Sequence, residues 1–234
     1  MELLLQRHNL KNMLGLGNAI TGGAALEEFT PASISSLIHW YKYDTGITQD
    51  GDGDITAWAD QEGSNNLTAS GDTADSPQYD NGAIKFVESG DDLEWGSALS
   101  LGTFSFYFRY ESSDVAVDWI IKGGGTDWVK VQSDSNLRVK IGTRMDFDTS
   151  GMSADTKVNL GIERASNGDV GVLINNSAQS IAGGYTDNIA TSTTFDITKI
   201  GSPLITVKMY EILIFNDVLS SEDKGLLNTY LNTI

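Results

Sequence analysis

Apolar and polar residues alternate along most of the chain from residue 34 onward. Successive side chains of a β-strand point to opposite faces, so this period of two predicts strands with one buried face. In the clearest example, Phe104 and Phe106 fall on one face while Ser105 and Tyr107 fall on the other. The alternation is clearest in four segments: 103–110, 137–141, 158–162 and 170–174. Short strands at this regular spacing predict an all-β domain.

Two Asn–Gly pairs predict tight hairpins. Asn167–Gly168 lies between two alternating segments, and Asn81–Gly82 precedes the apolar run 83–87. A type I′ turn needs positive φ at both central residues, which asparagine and glycine tolerate best. We therefore expect a type I′ hairpin at each pair.

The C-terminus carries the one clear helical signal. Ser220 followed by Asp223 resembles a capping box, and apolar residues then recur at helical spacing. The residues expected on its packed face are Leu226, Leu227, Tyr230 and Leu231. About twelve to fourteen strands are too many for one open sheet. The sequence therefore predicts a two-sheet antiparallel β-sandwich of the jelly-roll type with one short C-terminal helix.

Residues 1–30 differ from the rest and predict an N-terminal arm ahead of a sandwich domain at 31–234. The arm is rich in leucine near its start and in glycine after Met13. We expect it to bind a partner through Leu3, Leu4, Leu5, Leu10, Met13 and Leu14. A signal peptide is the weaker alternative, because Glu2, Asn18 and Thr21 interrupt the apolar stretch that such a peptide needs.

Charge and composition exclude several functions. Fifteen Lys and Arg against 32 Asp and Glu give a net charge of −17, which repels nucleic acids and anionic membranes. The chain has no cysteine and two histidines, which argues against thiol chemistry and histidine-rich metal sites. No apolar run approaches the length of a membrane-spanning helix. We expect no cofactor and no metal.

Three stretches resemble the concanavalin A-like lectin/glucanase domains in their laminin-G-like form. Residues 37–60 resemble the family's opening strand, turn and hairpin, with Trp58 and Asp60 in an "I-x-x-W-x-D" pattern. Residues 81–95 resemble a later strand pair, and residues 207–231 resemble the closing strand, "L-S" cap and terminal helix. The resemblance implies the fold and says little about the ligand.

Such domains occur in the virions of tailed bacteriophages as capsid decorations, fibres or tail parts. The resemblance therefore implies a non-enzymatic virion component, assembled in the host cytoplasm and attached to other virion proteins through residues 1–30. Decorations obey the symmetry of their site, so a homo-oligomer is expected. Two alternatives stay open: a carbohydrate-binding adhesin that recognises a host surface glycan, and a divergent glycoside hydrolase.

Acidic residues are concentrated in residues 44–94, where thirteen Asp or Glu accompany Lys85 alone, a charge of −12. Asp50, Asp52 and Asp54 imitate the start of a calcium-binding EF-hand loop. The imitation ends at its sixth position, Ile55 in place of glycine, so a solvated acidic turn is expected. The glucanase branch uses "E-x-D-x-x-E" or "E-x-D-x-E", which the chain lacks, so no catalytic residue is assigned.

Histidine and tryptophan supply the remaining candidates. His8 falls in the arm, and His39 is expected to be a hydrogen-bonded structural residue of the first strand. Most of the five tryptophans are expected in the core. Trp119 and Trp128 flank the turn at Gly123–Gly125 and are the two candidates for stacking on a glycan.

Overall fold

The computed structural model describes residues 28–70, 76–87, 90–114, 118–125, 127–133, 135–149, 151–201 and 204–234. In these residues two antiparallel β-sheets stack face to face, and one α-helix lies on the outer side of one sheet. The predicted fold class is confirmed. The predicted arm, including Leu3, Leu4, Leu5, Leu10, Met13 and Leu14, lies outside the described residues up to residue 27.

Eighteen described strands build the sandwich. The first nine are β1 (Leu37–Tyr41), β2 (Ile47–Gln49), β3 (Ile55–Trp58), β4 (Leu67–Ala69), β5 (Gln78–Asp80), β6 (Ala83–Phe86), β7 (Asp92–Leu101), β8 (Phe104–Ser112) and β9 (Asp118–Gly123). The others are β10 (Trp128–Ser133), β11 (Asn136–Ile141), β12 (Thr143–Asp148), β13 (Val158–Arg164), β14 (Val170–Ile174), β15 (Ser177–Ala178), β16 (Ser180–Ile181), β17 (Phe195–Gly201) and β18 (Val207–Phe215).

The strands divide into two sheets, and the chain passes from one sheet to the other several times. One has eight strands in the order β15-β14-β13-β8-β18-β6-β5, with β1 also paired to β18. The other has ten strands in the order β16-β12-β11-β10-β9-β17-β7-β4-β3-β2. Both place sequence-distant strands side by side, as in a jelly roll.

The main core lies between the two sheets and follows the alternation of the sequence. Phe104, Phe106 and Phe108 are fully buried in it from β8. The facing sheet contributes the apolar residues of β11, which are also fully buried: Leu137, Val139 and Ile141. The period of two therefore placed the core-facing residues of these strands correctly.

A second core covers the outer side of the eight-stranded sheet. Helix α1 (Ser221–Leu231) lies there and buries Leu227 and Leu231 against Leu213 and Phe215 of β18. Ser220 caps the helix as predicted, since its Oγ accepts a hydrogen bond from the N–H of Asp223 at 3.1 Å. Leu226 was expected on the packed face, but it is 40% exposed because the buried stripe of this short helix is narrow.

The chain enters this second core through residues 28–34. Thr30 caps a short 3₁₀ helix at Pro31–Ser33, and the Phe29 ring lies 6.3 Å from that of Tyr230 on α1. Phe29 therefore contacts the sandwich domain through α1. The division into an arm at 1–30 and a domain at 31–234 stays a prediction.

One of the two predicted type I′ turns is confirmed. Asn81 and Gly82 both have positive φ, 52° and 88°, and join β5 to β6. At the other pair only Gly168 has positive φ, and its N–H bonds the carbonyl of Ala165. The hairpin from β13 to β14 is present, but the predicted turn type is wrong because the loop is longer than two residues.

Candidate functional site

The outer side of β9 to β12 carries aromatic and positively charged side chains. In antiparallel strands, directly paired residues project to the same side. Lys122 pairs with Trp128, which pairs with Lys140, and Lys140 pairs with Arg144. In the next row Trp119 pairs with Lys130, Lys130 with Arg138, and Arg138 with Asp146. We call these eight residues the cation–tryptophan face: Trp119, Lys122, Trp128, Lys130, Arg138, Lys140, Arg144 and Asp146.

The two tryptophans proposed from the sequence for glycan stacking lie side by side on this face. The ring centroids of Trp119 and Trp128 are 5.3 Å apart with an edge-to-face angle of 86°. Both are half-buried, while the other three tryptophans, Trp40, Trp58 and Trp95, are buried as predicted. Strands β9 and β10 bring the pair together because they form the predicted hairpin around Gly123–Gly125.

Lysine side chains lie over the two indole rings. The Lys130 Nζ is 4.9 Å from the Trp119 centroid and 5.4 Å from that of Trp128. The Lys122 Nζ is 5.2 Å from the Trp119 centroid. An exposed cation–π contact contributes about 0.5–1 kcal/mol, so a bound molecule can displace such an ammonium group from the ring.

One carboxylate serves two guanidinium groups next to the tryptophans. Arg138 donates from Nε and Nη2 to the two oxygens of Asp146, both at 2.8 Å. Arg144 donates to the same two oxygens at 2.9 and 2.7 Å. Burial opposes ionisation of Asp146, but the two arginines outweigh it and hold the pKa of its carboxyl well below its usual range. This arrangement fixes both guanidinium groups and leaves one positive charge uncompensated.

Two lysines of the face, Lys130 and Lys140, add to this excess. Neither Lys130 nor Lys140 forms an ion pair with a described residue. Burial, together with nearby Arg138 and Arg144, lowers the pKa of Lys130. With Arg138 and Arg144 these two lysines place four cations beside the Asp146 carboxylate, in a chain whose net charge is −17. The excess makes the face a place where an anion is favourable.

The cation–tryptophan face has defined edges. On the side of β12 the Arg144 guanidinium lies 5.1 Å from the ring centroid of Tyr185, and Asp148 ends the strand. On the other side Lys199 of β17 is ion-paired with Asp92 and Glu94 of β7. Beyond β17 the outer side of this sheet therefore becomes acidic.

The acidic turn at 50–54 is organised by its own backbone. Asp50 Oδ1 accepts hydrogen bonds from the N–H groups of Asp52 and Asp54, at 2.9 and 3.0 Å. Across the described ranges, no group of three or more His, Cys, Asp or Glu is placed to hold a metal ion.

His39 has the structural surroundings expected of it. Its Nδ1 lies 2.6 Å from Asp60 Oδ2, and the same carboxylate accepts bonds from the N–H groups of Trp40 and Gly63. Burial alone would raise the pKa of Asp60, but these hydrogen bonds and that from Glu62 lower it to about 2. Asp60 thereby ties the loop after β3 to β1 of the other sheet.

Two further carboxylates are buried beneath α1. Glu211 is fully buried and accepts from Trp40 Nε1 and the Tyr230 hydroxyl, both at 2.7 Å. Glu163 accepts from the hydroxyls of Tyr107 and Ser105 and pairs with Lys224. Their donors come from the helix and the sheet, so these carboxylates join the two.

Sequence reasoning found the tryptophans of the cation–tryptophan face and missed its cations. The signal was present, since Arg138 and Lys140 alternate with buried Leu137 and Val139 on β11. Alternation fixes their side of the sheet. It does not show that β9, β10 and β12 bring further cations beside them.

Neither a family model nor a curated protein matches this chain. Solved structures do resemble it. A Trypanosoma rangeli sialidase superposes with a TM-score of 0.62 at 13% identity, over 98% of this chain and 38% of the sialidase chain. A structure of botulinum neurotoxin type C, whose cell entry depends on interaction with two ganglioside molecules, superposes with a TM-score of 0.57 at 15% identity, over 86% of this chain and 53% of the toxin chain.

A third similar structure is the binding domain of botulinum neurotoxin DC in complex with SialylT, with a TM-score of 0.57 at 15% identity. It covers 84% of this chain and 52% of that chain. At identities this low, the structural likeness shows a shared fold alone. The chain thus has the β-sandwich found in these proteins, and spans under two fifths of the sialidase and about half of the toxin chains.

The comparison corrects one expectation. The chain was expected to be non-enzymatic, partly because it lacks the acidic spacing of the glucanase branch. The sialidase is an enzyme and yet shares the fold, so that argument fails. The glucanase pattern belongs to one branch of enzymes, and its absence says nothing about the chemistry of other proteins with this architecture.

Proposed function

We propose that this chain is a carbohydrate-binding β-sandwich module whose binding surface is the cation–tryptophan face. The observation that carries the proposal is the pair of half-buried tryptophans on the outer side of the ten-stranded sheet. Indole rings present flat apolar surfaces that pack against the C–H groups of sugar rings, while neighbouring polar groups bond the hydroxyls.

One feature supports this choice of surface, and a second supports carbohydrate as the ligand class. On the outer side of the other sheet, α1 covers β8 and β18, so Tyr107 and Phe215 there are already packed against the helix side. The solved structures of similar fold include a sialidase in complex with sialic acid and a toxin binding domain in complex with SialylT. Those ligands belong to those proteins, and they make carbohydrate the first ligand class to test here.

The test is a glycan array followed by titration of the strongest ligand against four proteins: the full chain and the variants Trp119→Ala, Trp128→Ala and Tyr79→Ala. We expect each tryptophan variant to bind at least tenfold more weakly. Tyr79 is an exposed aromatic residue on β5 of the other sheet, so its variant should bind like the parent. Thermal melting of each variant establishes that it is folded.

Absence of binding across the array, or equal binding by the parent and both tryptophan variants, would overturn the proposal. The bound glycans should also be assayed for hydrolysis. Release of free sugar that is lost in Trp119→Ala and Trp128→Ala would make this face a catalytic site and favour the hydrolase alternative.

We also propose that the module is a component of a bacteriophage virion, as a homo-oligomer attached through its N-terminal segment. The resemblance of residues 37–60, 81–95 and 207–231 to domains found in such virions supports this setting. Phe29 packs against α1, so the described chain begins on the helix side of the domain, away from the cation–tryptophan face. A chain attached there would present its glycan-binding face outward.

This setting is tested by incorporation into particles. The full chain should co-purify with virions, whereas a chain lacking residues 1–27 should fold and remain unattached. The deletion spares Phe29, which packs against α1, and Thr30, which caps the 3₁₀ helix at Pro31–Ser33. Attachment of the shortened chain at the level of the parent would disprove the role of the arm.

A further inference from the structure

We infer that the cation–tryptophan face selects acidic saccharides, bearing a carboxylate or a sulfate, over neutral ones, with Lys130 as the central charge contact. This inference rests on the proposed function and names its ligand class. It starts from the position of the Lys130 Nζ, which lies within 5.4 Å of both indole centroids.

The lysines over the rings favour an acidic sugar over a neutral one. A neutral sugar that stacks on Trp119 or Trp128 must displace an ammonium group and offers it no charge in return. An acidic sugar can place its anionic group against the displaced Lys130 while its ring occupies the indole. The cation–π contact is then exchanged for a charge-assisted hydrogen bond.

The arginines beside the tryptophans are already oriented. Asp146 holds both Arg138 and Arg144 through two hydrogen bonds each, so little side-chain freedom is lost when an anion arrives. Lys130 is the direct strand partner of Arg138. An anion at Lys130 therefore meets a fixed guanidinium group on the adjacent strand.

The charge of the whole chain limits the size of the anion. Lys130, Lys140, Arg138 and Arg144 beside the single carboxylate of Asp146 make the face positive, but the chain carries −17, and residues 44–94 account for −12 of it. At physiological ionic strength charges are screened beyond about 8 Å. An anion confined to the face interacts with its cations, whereas a long polyanion extends over acidic surface. One or two acidic sugar units fit this distribution, and a nucleic acid does not.

The experiment compares lactose, sialyllactose, lactose 3′-sulfate and a twelve-nucleotide oligothymidine as ligands of the full chain. The two acidic sugars distinguish a carboxylate from a sulfate on a shared lactose core. We expect at least one of them to bind tenfold or more tightly than lactose at 50 mM NaCl, with the advantage reduced at 200 mM as ion pairs are screened. The oligonucleotide should bind more weakly than that acidic sugar.

The variants Lys130→Gln and Lys85→Gln complete the test. Lys130→Gln should bring the ratio of acidic to neutral affinity close to one, and its melting temperature shows whether it is folded. Lys85 is a half-buried lysine on β6 of the other sheet, so Lys85→Gln should keep the parental ratio.

The outcomes separate this inference from the proposed function. Equal affinity of the parent for lactose and both acidic sugars overturns the inference and leaves glycan binding standing, as does an unchanged ratio in Lys130→Gln. Tighter binding of the oligonucleotide than of any sugar overturns both. Binding of no sugar in this set or on the array removes the proposed function itself.

Discussion

The two sheets of this sandwich have the same antiparallel strand geometry, but their outer sides differ. One is covered by α1, and the other is open. On the eight-stranded sheet every residue of β13, and all but one residue each of β8 and β18, is buried, because the main core covers their inner side and α1 packs on the outer side. On the ten-stranded sheet β10 and β11 alternate between buried and half-buried residues. The type of residue placed outward therefore decides whether a face is covered by chain or left exposed.

The two sides also differ in how their charges are satisfied. Beneath α1, Glu211 and Glu163 are matched by donors from the helix, the sheet and β1. On the cation–tryptophan face, positive charges exceed the carboxylates beside them. Polar groups of the covered side thus join the helix to the sheet, whereas the open side keeps an excess of positive charge, on which the proposed binding depends.

The largest predicted difference between the two sides is the loss of stability when a side chain is truncated. Phe215 is fully buried beneath α1 and packs edge-to-face on Tyr107 at 6.4 Å. Phe215→Ala should lower the free energy of unfolding by about 3–5 kcal/mol, since it leaves a cavity. Lys140→Ala on the open side should change it by about 0.5 kcal/mol or less. Urea unfolding measures both, and losses of equal size would contradict the contrast.

The next effect concerns Asp60, which joins the loop after β3 to the sheet under the helix. Its pKa is lowered to about 2 from 3.8, so its contribution is present above pH 4 and is lost as the pH falls toward 2. Asp60→Asn should therefore cost about 2 kcal/mol at pH 7 and very little at pH 2. Unfolding of both proteins across this range gives the difference. A loss independent of pH would show that the ionised carboxylate is not the cause.

Glu211 should show the opposite dependence on pH. Burial raises its pKa above 4.5, and the hydrogen bonds from Tyr230 and Trp40 offset this only in part. When a pKa is raised in the folded state, stability is greatest at pH values below the pKa of the unfolded state. Stability then falls as the pH rises through the pKa of the folded state. Glu211→Gln should remove this decline.

Glu211→Gln should also cost about 1 kcal/mol at low pH, because its amide group would meet the N–H of Tyr43, which now bonds Oε2. Urea unfolding at several pH values from 4 to 8 records both effects. A decline of equal slope in the parent and the variant would place its origin in another group.

The smallest predicted effect tests how firmly the helix covers its side. Ser220 caps α1 from an exposed position, so Ser220→Ala should lower stability by about 1 kcal/mol. Thr229→Ala, at an exposed position within the helix, should change it by about 0.5 kcal/mol or less. Thermal unfolding compares the two. A larger loss in Thr229→Ala would mean that the cap does not limit the stability of α1.

Local patterns in the sequence predicted part of the covered side correctly. The alternation in β8 assigned Phe104, Phe106 and Phe108 to one side and Tyr107 to the other, and both assignments hold. The Ser220 cap was also correct. The exposed Leu226 and the Gly168 turn were not, because helix rotation and loop length depend on what each segment packs against.

The sequence by itself determined the period-two strands, the helix start at Ser220 and the candidate tryptophans, because each depends on residues within a few positions of one another. The tertiary structure alone decided that Trp119, Lys130 and Arg138 form one row across β9, β10 and β11. It also decided that Trp40 bonds Glu211, 171 positions away in sequence. Such contacts depend on sheet order and strand register, which no local pattern encodes, and the proposed binding face consists of contacts of this kind.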